Sequence, residues 1–177
     1  QALAEVIFGD YNPGGKLPVT FYESTKDLPD FLDYSMENRT YRYFRGVPQY
    51  AFGYGLSYTT FEVGKGKISK KSMKADGSVK ITVPVENTGD REGTETIQVY
   101  VKALDYAEAP IKSLKGFQKI NLKAGEKGKV EIVLDGESFQ YYDPSIDELS
   151  TRTGRYQILY GTSSLEKDLK SIDFVVK

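Results

Sequence analysis

Ser78-Val79-Lys80-Ile81-Thr82-Val83-Pro84-Val85 alternates polar and apolar residues without a break. Successive side chains of a strand point to opposite faces. Val79, Ile81, Val83 and Val85 therefore share one face, and the stretch predicts a half-buried strand. Reading onward, Asn87-Thr88-Gly89-Asp90 is a turn, and Ile97, Val99 and Val101 alternate with Thr96, Gln98 and Tyr100 in a second strand. Leu114–Ile120 predicts a third, and Ala124–Gly128 turns into a fourth over Val130–Leu134. Phe139–Pro144 is short and aromatic, and Arg155–Tyr160 with Ile172–Val176 closes the series. Short strands separated by turns about every 10 residues predict a β-sandwich. Tyr156, just after Thr153-Gly154-Arg155, sits where a tyrosine corner would, its hydroxyl bonded back to the chain upstream. Ile158, two residues on, stands where an antibody domain has its second cysteine.

Reading back from Ser78, residues 64–77 form a lysine- and glycine-rich connection expected to be solvated. Before it lies Tyr41–Phe61, YRYFRGVPQYAFGYGLSYTTF, which is crowded with Tyr and Phe and interrupted by Gly46, Pro48, Gly53 and Gly55. Neither helix nor strand periodicity fits it, and it reads as an irregular crossing packed between two domains, with sugar stacking as the sharper alternative. Residues 23–40 are polar and irregular. Asn38-Arg39-Thr40 matches a glycosylation sequon, which matters only in a eukaryotic secretory setting. Leu3, Val6 and Ile7 predict a short helix capped by Gly9. Lys16–Tyr22 predicts an extended segment that Pro18 confines to a sheet edge. A lone helix and strand cannot bury a core, so this part calls for a partner surface.

Composition removes several functions. Twenty-four Lys and Arg offset 25 Asp and Glu, for a formal charge of −1 with the signs mixed, so no nucleic-acid footprint is expected. With no cysteine, disulfides and thiolate metal sites are excluded; with no histidine, so is any Ser-His triad. No apolar run is long enough to span a membrane, and the start has no signal-peptide pattern. No metal or cofactor is expected.

Met36–Phe44, followed by YAFGYGLSYTTF over Tyr50–Phe61, resembles the signature near the end of family 3 glycoside hydrolases, and RTYRYF resembles the β-xylosidase branch more than the β-glucosidase branch. AEVIFGDYNPGGKLPVTFY resembles the last helix and strand of that family's α/β-sandwich domain. VENTGDREGTETIQVYV, PIKSLKGFQKINLKAGEKGKVEIVL and GRYQILYGTSS resemble the fibronectin type III-like domain that ends many members. The resemblance implies a mainly β chain: a fibronectin III/immunoglobulin-like sandwich over 64–177, preceded over 1–63 by the terminal helix, strand and irregular tail of an α/β-sandwich domain. It also implies a retaining β-glycosidase parent acting on glucosides or xylosides, with upstream barrel and α/β domains as partners, and a periplasmic or secreted location.

The resemblance carries no catalytic residue onto this chain, because both carboxylates of a retaining pair lie in upstream segments. The substrate-binding candidates are Glu37, Arg39, Tyr41 and Tyr54. Glu37, near Arg39 and Arg42, reads first as a structural ion pair, and Asp143 before Pro144 as a turn residue. Asp105, Glu108, Asp147 and Glu148 lack metal-loop spacing. The rival from another class is a free-standing carbohydrate-binding or adhesion module.

Overall fold

A computed structural model describes all 177 residues. Eleven strands follow two short helices: α1 (Ala2–Phe8), α2 (Thr40–Tyr43), β1 (Phe61–Val63), β2 (Lys67–Ile68), β3 (Ser72–Met73), β4 (Ser78–Asn87), β5 (Gly93–Ala103), β6 (Ser113–Leu122), β7 (Lys127–Asp135), β8 (Tyr141–Asp143), β9 (Glu148–Ser150), β10 (Gly154–Gly161) and β11 (Leu169–Val176). In one sheet β4 is central, with β7 along one side and β1 and β2 sharing the other. The facing sheet runs β3-β11-β10-β5-β6, antiparallel except for the β3–β11 pair. The β8–β9 hairpin stands apart.

The alternation in β4 does what its spacing predicts. Val79, Ile81, Val83 and Val85 enter a core with Ile97, Val99, Val130, Leu134, Phe139, Ile158 and Phe174. Pro84 is tolerated in a central strand because the ladder is broken beside it. Its carbonyl accepts from Gly64 N at 2.9 Å, so its donorless nitrogen faces the gap between β1 and β2. The tyrosine corner is present: the Tyr156 hydroxyl donates to the Arg152 carbonyl at 2.6 Å. Ile158 is fully buried, filling with hydrocarbon the place of a disulfide.

The structure adds to two readings and overturns a third. The lysines of the connection over 64–77 are exposed as expected, and the connection also supplies β2 and β3, with Met73 entering the core. The second strand is covered on both faces: Glu95, Thr96, Gln98 and Tyr100 are buried as well as Ile97 and Val99. The chain before β1 lies across that outer face and turns a two-sided strand into a buried one. The segment Lys16–Tyr22 joins no sheet; Phe21 makes one isolated bridge to Tyr50, and Leu17 exchanges backbone bonds with Gly53 and Tyr54. Pro18 removes a donor there, and no third strand lies alongside.

Gly9 caps α1 as expected, with φ at 82°. The apolar side of α1 finds nothing to cover it: Leu3, Ile7 and Phe8 are all exposed. Among residues 1–58 only Ala51 and Gly53 are buried.

Candidate functional site

The aromatic segment is held to the sandwich by polar bonds at fixed points. Gln98 is the central one. Its Nε2 donates to the carbonyls of Gly53 at 3.2 Å and Thr162 at 2.7 Å, while its Oε1 accepts from the Tyr100 hydroxyl at 2.6 Å. Gly53 has to be glycine: its φ is 81°, and a Cβ would lie 2.1 Å from Gln98 Oε1. Asn12 Oδ1 accepts from Ser57 Oγ and Tyr58 N, and its Nδ2 donates to the Glu92 carbonyl. Asn87, fully buried at the end of β4, accepts from Thr59 Oγ1 at 2.7 Å and donates to the carbonyls of Arg91 and Leu122. Lys16 and Glu95 form a mostly covered ion pair at 2.8 Å.

Tyr41 belongs to this packing. Its ring stacks on Phe52 at 4.3 Å and meets Tyr100 edge-on at 5.7 Å, and its hydroxyl accepts from Leu114 N. Burial raises the Tyr41 phenol above its usual range, and the Leu114 N–H acts against that. A ring covered on one face by Phe52 is a partial platform at most.

Tyr54 lies elsewhere. With Tyr50, Phe21, Leu17 and Leu56 it lines an open apolar cleft of about 720 Å³. Tyr50 and Tyr54 sit 5.2 Å apart at 40°, and Phe21 meets Tyr50 edge-on.

Arg39 and Glu37 mark a third place. The Arg39 guanidinium donates to the Ser35, Asp30 and Asp33 carbonyls, closing the 30–36 loop on itself. It also borders a hollow of about 430 Å³ with Phe31 and Tyr34, which are 91% and 88% exposed. Glu37 is exposed and forms no ion pair, so the expected pairing is corrected: Arg39 is already committed to backbone carbonyls. Asp33 accepts from Ser35 N, and that bond holds its carboxyl below the usual carboxylate range. The four candidates are thus spread over three places.

Asp143 is a turn residue as expected, accepting from Ser145 N and Oγ, and it also pairs with Arg152 at 3.2 Å. Asp105 binds Arg155, Glu108 binds Arg152, and Asp147 accepts from the Tyr142 hydroxyl. No group of three or more carboxylates is placed to hold a metal. Sequence reasoning missed Gln98, Asn12 and Asn87 as docking residues. One signal was available: Gln98 and Tyr100 fall on the face of β5 that a half-buried strand would give to water.

Two family descriptions match in order along the chain. Residues 1–58 match the glycosyl hydrolase family 3 C-terminal domain, and residues 95–164 match the fibronectin type III-like domain. The chain carries the C-terminal region of the family 3 glycosyl hydrolases. A xylan 1,4-β-xylosidase from Xylanibacter ruminicola is 50% identical over 172 residues, covering 97% of this chain and 20% of that protein. A periplasmic β-glucosidase from Salmonella typhimurium is 39% identical over 177 residues, covering 93% of this chain and 23% of its own length. The solved β-glucosidase of Erythrobacter marinus superposes with a TM-score of 0.83 at 34% identity, over 99% of this chain and 23% of that one. This family 3 region therefore spans about a fifth to a quarter of the relatives it matches. No helix in it is long and apolar enough to cross a membrane.

Proposed function

We propose that the chain is the accessory, structural portion of a retaining β-glycosidase that acts on β-linked xylosides or glucosides in the breakdown of plant polysaccharides. The catalytic carboxylates would lie in upstream barrel and α/β domains, and the 177 residues alone would not turn over substrate. The enzyme would work in the periplasm or outside the cell, as the name of the Salmonella relative suggests. The observation carrying this reading is the asymmetry of burial. The sandwich closes its own core, whereas residues 1–58 leave α1, Phe31, Tyr34 and the Tyr50–Tyr54 cleft open. Exposed apolar area on that scale marks an interaction surface.

In this reading the sandwich anchors the last part of the α/β domain through Gln98, Asn12 and Asn87 and so holds it against the rest of the enzyme. The division between the two parts falls near Val63; the pairing of β1 with β4 favours Thr60 as the last residue before the sandwich. Glu37 and Arg39 would then lie at the margin of the surface that meets the upstream domains, with Tyr54 in that surface and Tyr41 behind it. The test is turnover of aryl β-xyloside and β-glucoside by the full-length enzyme, by the 177-residue chain, and by the enzyme lacking residues 61–177. Activity in the first alone supports the proposal. Turnover by the isolated chain contradicts it.

The rival, a free-standing sugar-binding module, takes its support from the open Tyr50–Tyr54 cleft. Xylo-oligosaccharide binding by the isolated chain, abolished in Tyr54→Ala, would favour it.

A further inference from the structure

A separate concavity of about 320 Å³ opens where the aromatic segment meets the loops of the sandwich, and it shares no lining residue with the Tyr54 cleft. Tyr41, Phe44 and Pro48 give it an apolar wall. Opposite stand Lys112 and Glu166, whose Nζ and Oε1 lie 3.0 Å apart. The two partners are placed very differently: the lysine side chain is 7% exposed and the glutamate 73%. An ammonium has three donors, and Glu166 engages one of those on Lys112. At the same wall the Thr20 hydroxyl is buried without a hydrogen-bond partner. That hydroxyl is covered by the protein itself, so it lies behind the wall and does not face the concavity.

These groups select a class of ligand. A donor and an acceptor side by side match adjacent hydroxyls on a sugar ring, which both donate and accept. The Lys112–Glu166 pair is neutral as a unit, and Arg45 is the one other charged group in the lining. Apolar rings and a proline suit the C–H face of a pyranose. The volume equals about ten waters at ~30 Å³ each, enough for one ring and little more. We propose that this concavity is a binding subsite for a single neutral pyranose unit, with Lys112 and Glu166 bonding two neighbouring hydroxyls. The choice of a sugar leans on the glycosidase reading; the position of the site does not.

The test is NMR titration of the ¹⁵N-labelled 177-residue chain with methyl β-xyloside and methyl β-glucoside. Saturable shifts are expected at Thr20, Tyr41, Lys112 and Glu166, with Kd on the order of 1–10 mM, as suits one small ligand on an open site. Glu166→Ala removes an exposed side chain and also takes the partner from the covered Lys112 ammonium; it should weaken binding about tenfold, the equivalent of one hydrogen bond to a charged group, with a circular dichroism spectrum like the parent's as the check on the fold. Sodium acetate should not compete. Absence of saturable shifts at these residues overturns the proposal. So does binding that Glu166→Ala leaves intact, or binding that acetate displaces. Full-length turnover without sugar shifts at Lys112 would sink this subsite alone. Sugar shifts at Lys112 with no full-length turnover would sink the proposed function alone.

Discussion

The two halves of the chain use similar residue types to opposite ends. In the sandwich, Phe139, Tyr156 and Phe174 pack together, with Phe139 and Phe174 stacked at 5.2 Å and Tyr156 edge-on to Phe139 at 5.4 Å. Before β1, Phe8, Phe31 and Tyr34 lie in the open. Composition does not explain the difference; topology does. Nine strands paired into two main sheets give the inward side chains neighbours, while two short helices and irregular chain have only the outer face of β5 to lie on. The polar docking residues follow from that. A segment without its own core is fixed by directional bonds at Gln98, Asn12 and Asn87, and its apolar groups are left for another surface.

The comparison is most exposed to large-to-small changes in the core. Phe174→Ala should destabilise the isolated chain by about 3–5 kcal/mol in urea unfolding, whereas Phe31→Ala should fall within about 0.5 kcal/mol of the parent. Equal effects would break the distinction between a closed and an open half.

The docking comes next. Gly53→Ala forces a side chain onto Gln98 at a positive φ, and Gln98→Ala strips partners from Tyr100 and the Gly53 carbonyl. Each should cost about 1–3 kcal/mol. Each should also raise hydrogen exchange in residues 41–58 more than in β4 or β7. A uniform rise would mean that the segment and the sandwich are one unit. Tyr156→Phe removes the corner bond alone and should cost about 1 kcal/mol.

The smallest effect is the response to pH across the neutral range. With no histidine or cysteine, little titrates between about pH 5 and 9, and stability should be flat there. On the acid side, Arg155 beside Asp105, Ser138 beside Asp135 and Ser145 beside Asp143 hold those carboxyls below their ordinary range. Their contribution is complete above the unfolded value of about 3.9 and is lost as pH falls through the lower folded values. On the alkaline side burial pushes the Tyr141 phenol up to about 12 and raises Tyr100 and Tyr156 as well. Their neutral forms support the fold fully below about pH 10, and Tyr141's share is lost as pH rises through 12. A melting temperature that moved strongly between pH 6 and 8 would count against this account.

Much of the sandwich was legible because period-two alternation and turn chemistry are local. Val79–Val85, the Asn87–Asp90 turn, the Tyr156 corner and the Gly9 cap needed no knowledge of distant chain. The burial of Gln98 and Tyr100 was not legible, because it depends on where residues 41–58 come to rest. Met73 was hidden by the lysines around it. The Glu37 ion pair failed because Arg39 had stronger claims from the carbonyls of its own loop. Of the candidate site, sequence proximity grouped Glu37, Arg39 and Tyr41, and the fold takes Tyr41 away from the other two: the chain turns through positive φ at Asn38 and Thr40 between them.

The measurement that bears most directly on the central claim is hydrogen–deuterium exchange of the 177-residue stretch, alone and within the full-length enzyme. The account predicts that α1, residues 28–36 and the Tyr50–Leu56 cleft gain strong protection in the full-length protein, while β4, β5 and β10 stay as they are. Unchanged exchange over residues 1–58 would mean that this surface meets nothing in the enzyme, and the proposed role of the segment would fall with it.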